Sequence, residues 1–129
     1  MAKSGYAFNT ARQTFLATSV ALANTHWTRM RGLLGQNERS FSAGKGLWIV
    51  PCNGVHTIAM KIPLDLVYLN EHMVVQRLVE NVKPWRLAPF DVQTASVLEL
   101  PARTIWTTGT TVGDRIEISF EPRDAGVGA

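Results

Sequence analysis

The feature that most constrains this chain is a series of short segments rich in branched and aromatic residues, each bounded by turn-forming residues. They are TFLATSVALA (14–23), GLWIVP (46–51), PLDLVYLN (63–70), MVVQRLVENV (73–82), ASVLELP (95–101) and GDRIEISF (113–120). Residues of this kind suit the pleated, half-buried surface of a sheet. In the last segment Ile116, Ile118 and Phe120 alternate with Glu117 and Ser119, the period of a strand with one buried face. Asn70, Glu71 and His72 between the third and fourth segments predict a hairpin. Helical pattern is scarce. Asn24 or Thr25 can cap a short helix running through Leu34, with Trp27, Met30, Arg31 and Leu34 on one face and Gly35 as the stop. A single helical turn is expected around ARTIWTTG, and KPWRLAPFDVQT (83–94) reads as a loop. These elements predict a mainly β fold, an antiparallel β-sandwich or partly open barrel with one or two short helices packed on it.

A length of 129 residues fits one domain, with its core at about 14–120 and fraying ends. The one cysteine, Cys52, excludes an intrachain disulfide, so no oxidising compartment is needed and a cytoplasmic location is expected. Residues 1–23, with Lys3 and Arg12 ahead of FLATSVALAN, have some look of a signal peptide. The apolar run is short and broken by Thr18 and Ser19, which favours a strand. No run is long enough to span a bilayer. Residues 1–64 carry seven Lys/Arg against Glu38 alone, and residues 65–129 carry six against nine acids. A basic half of this kind can mark an anionic partner, but its cations are scattered and no nucleic-acid motif accompanies them. No nucleic-acid partner is expected, and the sequence requires no cofactor.

Chemistry concentrates in VPCNGVHTIAM (50–60), where Cys52, His56 and Met60 recur at a spacing of four. Thiolate, imidazole and thioether are the ligand types that select copper or zinc. A helix would stack all three on one face, but Pro51, Gly54, Val55, Thr57, Ile58 and Pro63 oppose a helix here. In an extended segment they share a face, yet Cys52 and His56 stand roughly 13 Å apart at ~3.3 Å per residue, too far for one ion. A metal site therefore needs a bend at Gly54 or ligands from elsewhere. The same separation weighs against Cys52 as a nucleophile with His56 as base and Asp65 as orienter.

The motifs TRMRGLLG, GLWIVPCNGVHTIAMKIPLDLVYLN, VKPWR, SVLELPA and VGDRIEI, in that order, resemble the bacterial and archaeal domain of unknown function numbered 192, from about residue 14 to 120. The resemblance implies a compact β-rich sandwich with a helix near the N-terminus. It implies no particular activity, and it carries over Arg31, Met60 and Asp65 as the positions that match best.

Asp65 lies between Leu64 and Leu66 in a strand apolar on both faces, so it is either buried and paired or lines a pocket. Arg31 and Arg86 are its expected partners in the first case. In the second, Arg31, His56 and Asp65 form the polar floor of a pocket walled by Met60, Trp48 and Trp85, with Arg86 beside it. Glu99, between Leu98 and Leu100, is either a solvent-facing strand residue or a pocket acid, the first being favoured, and Asp114 is expected to make a turn. The reading that follows is a non-catalytic domain binding a small polar or anionic ligand, or a protein partner, around His56-Thr57-x-x-Met60. The alternatives are an enzyme using Cys52 and His56 or a bound Cu or Zn ion, and a structural or protein-interaction domain.

Overall fold

The computed structural model describes residues 4–23, 41–52, 62–83 and 91–121. Seven strands, β1 (Gly5–Asn9), β2 (Thr14–Ala23), β3 (Lys45–Ile49), β4 (Leu64–Leu69), β5 (Val75–Val82), β6 (Ser96–Pro101) and β7 (Ile116–Ser119), form one sheet in the order β5-β4-β6-β3-β2-β1-β7. A five-residue helix, α1 (Thr104–Thr108), stands between β6 and β7. Six of these strands and α1 coincide with segments read from the sequence. The helix expected over 24–34 lies outside the described residues.

Two features depart from expectation. The pairing of β2 with β3 is parallel, whereas every other pairing in the sheet is antiparallel. Parallel neighbours need a long crossover, which residues 24–44 supply. The other departure is β1, which the sequence reading passed over. It pairs with both β2 and β7. Asn9 ends it by accepting, through Oδ1, the amide N–H groups of Ala11 and Arg12 at 3.0 Å each, an Asx turn that reverses the chain into β2. Gly5 admits the neighbouring β7 backbone, because a Cβ there would lie 2.6 Å from the Ser119 carbonyl oxygen and 2.7 Å from a Phe120 ring carbon.

The sheet curls until its two edges meet at one level. Val74 and Arg115 form an isolated antiparallel bridge, and the Val75 N–H donates to the Asp114 carbonyl at 2.8 Å while the Ile116 N–H donates to that of Met73 at 2.9 Å. Beyond these contacts the edges part, which makes a partly open barrel. The side chains on its inner face form a cluster that draws on all seven strands, including Ala7, Val20, Trp48, Val67, Val75, Leu98 and Ile116, with Ile105 of α1. A second cluster lies on the outer face of β3, β4 and β6, where Leu47, Ile49, Leu64, Leu66, Tyr68 and Val97 pack with Phe41, Ile62 and Cys52. All six residues of β4 are therefore buried. A strand enclosed on both faces reads as a continuous apolar run, and each fully buried Leu or Val contributes roughly 1.5–3 kcal/mol.

Candidate functional site

Strand alternation divides the sequence-predicted site residues between the two faces. On β6, Leu98 and Leu100 belong to the inner cluster and Val97 to the outer one, so Glu99 faces outward with Val97. It is paired with Leu47 on one side and Leu66 on the other, at the centre of the apolar outer cluster. The expectation that Glu99 meets solvent is wrong, because the outer face of this central strand is covered: Glu99 is 1% exposed. Its Oε2 has no hydrogen-bond partner among the described residues. Burial pushes its pKa up to about 8, which favours the neutral acid at pH 7.

Tyr68, fully buried on the same face, stands opposite Val97 on β6 and Arg77 on β5. Burial raises its pKa to about 12, with Arg77 pulling it down and Cys52 and Asp91 pushing it up. Cys52 belongs to this face too. It is half-buried, packs against the outer cluster, and donates its N–H to the Ala95 carbonyl at 2.9 Å. The outer face thus brings together a thiol, a phenol and an uncharged carboxylic acid within an apolar surface. His56, Met60, Arg31, Trp85 and Arg86 lie outside the described residues. Among the described residues no three His, Cys, Asp or Glu side chains stand close enough to hold a metal ion.

Asp65 and Trp48 face the other way. Asp65 is fully buried and accepts two backbone bonds, from the Asn81 N–H to Oδ1 and from the Ile105 N–H to Oδ2, both at 2.9 Å. It therefore caps α1 from a neighbouring strand. Arg103 at the N-cap position supplies no side-chain bond, and both Arg103 (φ 77°) and Asn81 (φ 54°) hold left-handed backbone. Among the described residues the partners of Asp65 are these two backbone amides, and the arginines that the sequence suggested, Arg31 and Arg86, lie outside the described residues. A cleft of about 470 Å³ adjoins it, edged by Glu80, Arg103 and the exposed Trp106. Trp48 stacks on Phe120, with ring centroids 6.4 Å apart, and joins the inner cluster. Its neighbours Leu47 and Ile49 take the outer face, so alternation sends Trp48 to the face opposite Cys52 and Glu99.

Of the two places the sequence allows for Glu99, solvent or a pocket, the favoured one fails on its burial. The signal was present: an acid between two leucines in a strand flanked by other apolar strands has the same pattern as Asp65, which was singled out.

The family model designated DUF192 and described as "Uncharacterized ACR" matches residues 7–118. No curated protein matches the chain. Among solved structures, a putative transcription regulator from Sinorhizobium meliloti is 23% identical with a TM-score of 0.74, over 94% of this chain and 98% of that one. A protein of unknown function from Novosphingobium aromaticivorans is 21% identical with a TM-score of 0.75, over 88% and 83% respectively. At these identities the two structures speak for the fold alone.

Proposed function

We propose that this chain, which belongs to the DUF192 family, is a non-catalytic binding domain that takes a small uncharged polar ligand on the outer face of its sheet, over Glu99. The observation that carries the reading is the Glu99 carboxyl, buried among leucines with Oε2 unpartnered among the described residues. Such a group lowers stability, since a buried polar atom without a partner costs roughly 1–3 kcal/mol. A ligand that bonds to it recovers that cost on binding. A neutral carboxylic acid donates one hydrogen bond and accepts others, which suits a carbonyl, amide or hydroxyl compound better than an anion. The Tyr68 phenol and the Cys52 thiol lie on the same face. His56 and Met60 follow Cys52 closely in sequence, and we include them in the site.

The test is a thermal-shift screen with neutral amides, sugars and nucleosides, and with organic acids as the contrast. Neutral compounds should raise the melting temperature of the wild type and of Glu99→Gln, which keeps a donor and an acceptor. Glu99→Leu should abolish the shift while melting at or above the wild type. Equal shifts in the wild type and in Glu99→Leu, or no shift with any neutral compound, would sink the proposal.

A further inference from the structure

A second cleft, on the inner side of the barrel, opens where β7 parts from the turn between β4 and β5. It has a volume of about 440 Å³, within the usual range of about 300–1,000 Å³ for small-molecule sites, and Trp48, Met73, Ile116 and Ile118 supply its apolar wall. These four residues belong to or pack against the inner cluster, so the cleft is an opening into the barrel core, and barrel mouths are a favoured place for ligands. Two polar features mark it. Arg115, which also lines the cleft, forms no ion pair among the described residues. The indole Nε1 of Trp48 is buried and has no hydrogen-bond partner among the described residues, so it is a donor without an acceptor. The other charged residue of the wall, Glu117, receives the hydroxyl of Tyr6.

An apolar wall, with a guanidinium and an indole N–H that have no partner among the described residues, together select an amphiphile whose head group is an anionic acceptor. We infer that this cleft binds a small apolar carboxylic acid, its hydrocarbon part against Trp48, Met73 and Ile118 and its carboxylate at Arg115. A guanidinium is matched in shape and charge to a carboxylate, and bonds of this kind are the stronger hydrogen bonds of proteins. The site is on the opposite face of the sheet from Glu99, so it stands or falls independently of the function proposed above.

The test uses the full chain labelled with 15N, octanoate as the probe and octan-1-ol as its uncharged counterpart. Each of the four tryptophans gives one indole N–H resonance, and Trp48→Phe identifies that of Trp48. Octanoate should move this resonance saturably and bind at least tenfold more tightly than octan-1-ol. Arg115→Gln, with an otherwise native spectrum, should bring the two probes within about threefold of each other, and Ile118→Phe should weaken both by narrowing the cleft. A Trp48 resonance unmoved by millimolar octanoate overturns the inference, as does an Arg115→Gln protein that keeps its preference for the acid.

Discussion

Asp65 and Glu99 sit on adjacent central strands, one rung apart in the ladder, since Asp65 pairs with Leu100 and Leu66 with Glu99. Both are at most 1% exposed, yet their surroundings are opposite. Asp65 points into the barrel end, where both oxygens take backbone N–H groups and tie β5 and α1 to β4. Glu99 points to the outer face and has an oxygen with no partner among the described residues. The comparison teaches that burial of an acid does not by itself identify a site. An acid whose bonds are completed by the fold is a structural fastener, and one whose bonds the fold leaves incomplete points to something outside it. The sharpest way to break this contrast is Asp65→Ala, which strips the partner from one buried and one part-buried amide at once. Hydrogen bonds to an acid of this kind are worth roughly 1.5–3 kcal/mol each, so a loss of about 3–5 kcal/mol is expected in urea unfolding. A loss under about 1 kcal/mol would remove Asp65 from its fastening role.

Glu99 should behave in the reverse sense. Its folded pKa of about 8 stands above the ordinary 4.5, so the unfolded chain releases this proton at lower pH than the folded one. Between those two values the native state holds more protons, and stability falls as pH rises, at up to about 1.4 kcal/mol per pH unit. Below pH 4.5 the contribution vanishes, and above pH 8 it levels off. Glu99→Gln removes the titration. The mutant should match the wild type within about 1 kcal/mol at pH 4.5 and exceed it increasingly towards pH 8, measured by denaturant titration across that range. Parallel stability curves for the two proteins would show that Glu99 is paired or solvated after all.

The uneven legibility of the molecule follows from the same physics. Strands β2 to β7 were readable because each is a contiguous run of branched or aromatic residues with turn chemistry at its ends, a local property of the chain. β1 was not, since five residues with Gly5 and Asn9 at their ends carry too little pattern, and the strand is held by pairing with β2 and with β7 more than 100 residues away. The parallel pairing of β2 and β3 is likewise set by topology and leaves no local mark. Of the candidate site, the burial of Asp65 was legible from its apolar flanks, but its two backbone partners were not, because amides placed by left-handed turns at Asn81 and Arg103 have no sequence signature of their own. Glu99 has the same flanks, yet which face of a strand is covered depends on what packs there from elsewhere. Trp48, grouped by residue type with Asp65, His56 and Met60, shares the inner face with Asp65, while His56 and Met60 lie outside the described residues. The alternation of Leu47, Trp48 and Ile49, once the outer face was known to be covered, would have placed it on the inner side.

Asp114 supplies an intermediate case that sharpens the comparison further. It is 6% exposed, and far from merely making the turn suggested by Gly-Asp, it gathers bonds from Asn9 Nδ2 at 2.9 Å, Arg12 Nε at 3.1 Å and the Thr111 N–H at 2.9 Å. Burial pushes its pKa up, but the bonds from Asn9, Thr111 and Arg12 and the charge of Arg12 outweigh that and hold it below the ordinary carboxyl value. Because the folded value is the lower one, the stabilisation is present above the unfolded pKa of 3.8 and is lost as pH falls through the folded value. Asp114→Asn should therefore cost about 1–2 kcal/mol at pH 7 and progressively less in acid, opposite in sign to the trend for Glu99. Arg12→Gln, which removes the cation but spares the amide bonds, should cost no more than about 1 kcal/mol, because the Arg12 side chain is 46% exposed and its attraction is screened by water. If Arg12→Gln cost as much as Asp114→Asn, the corner joining β1 to β7 would be held by the ion pair. The smaller loss expected here assigns that work to the hydrogen bonds, as at Asp65, and leaves Glu99 the exception among the three.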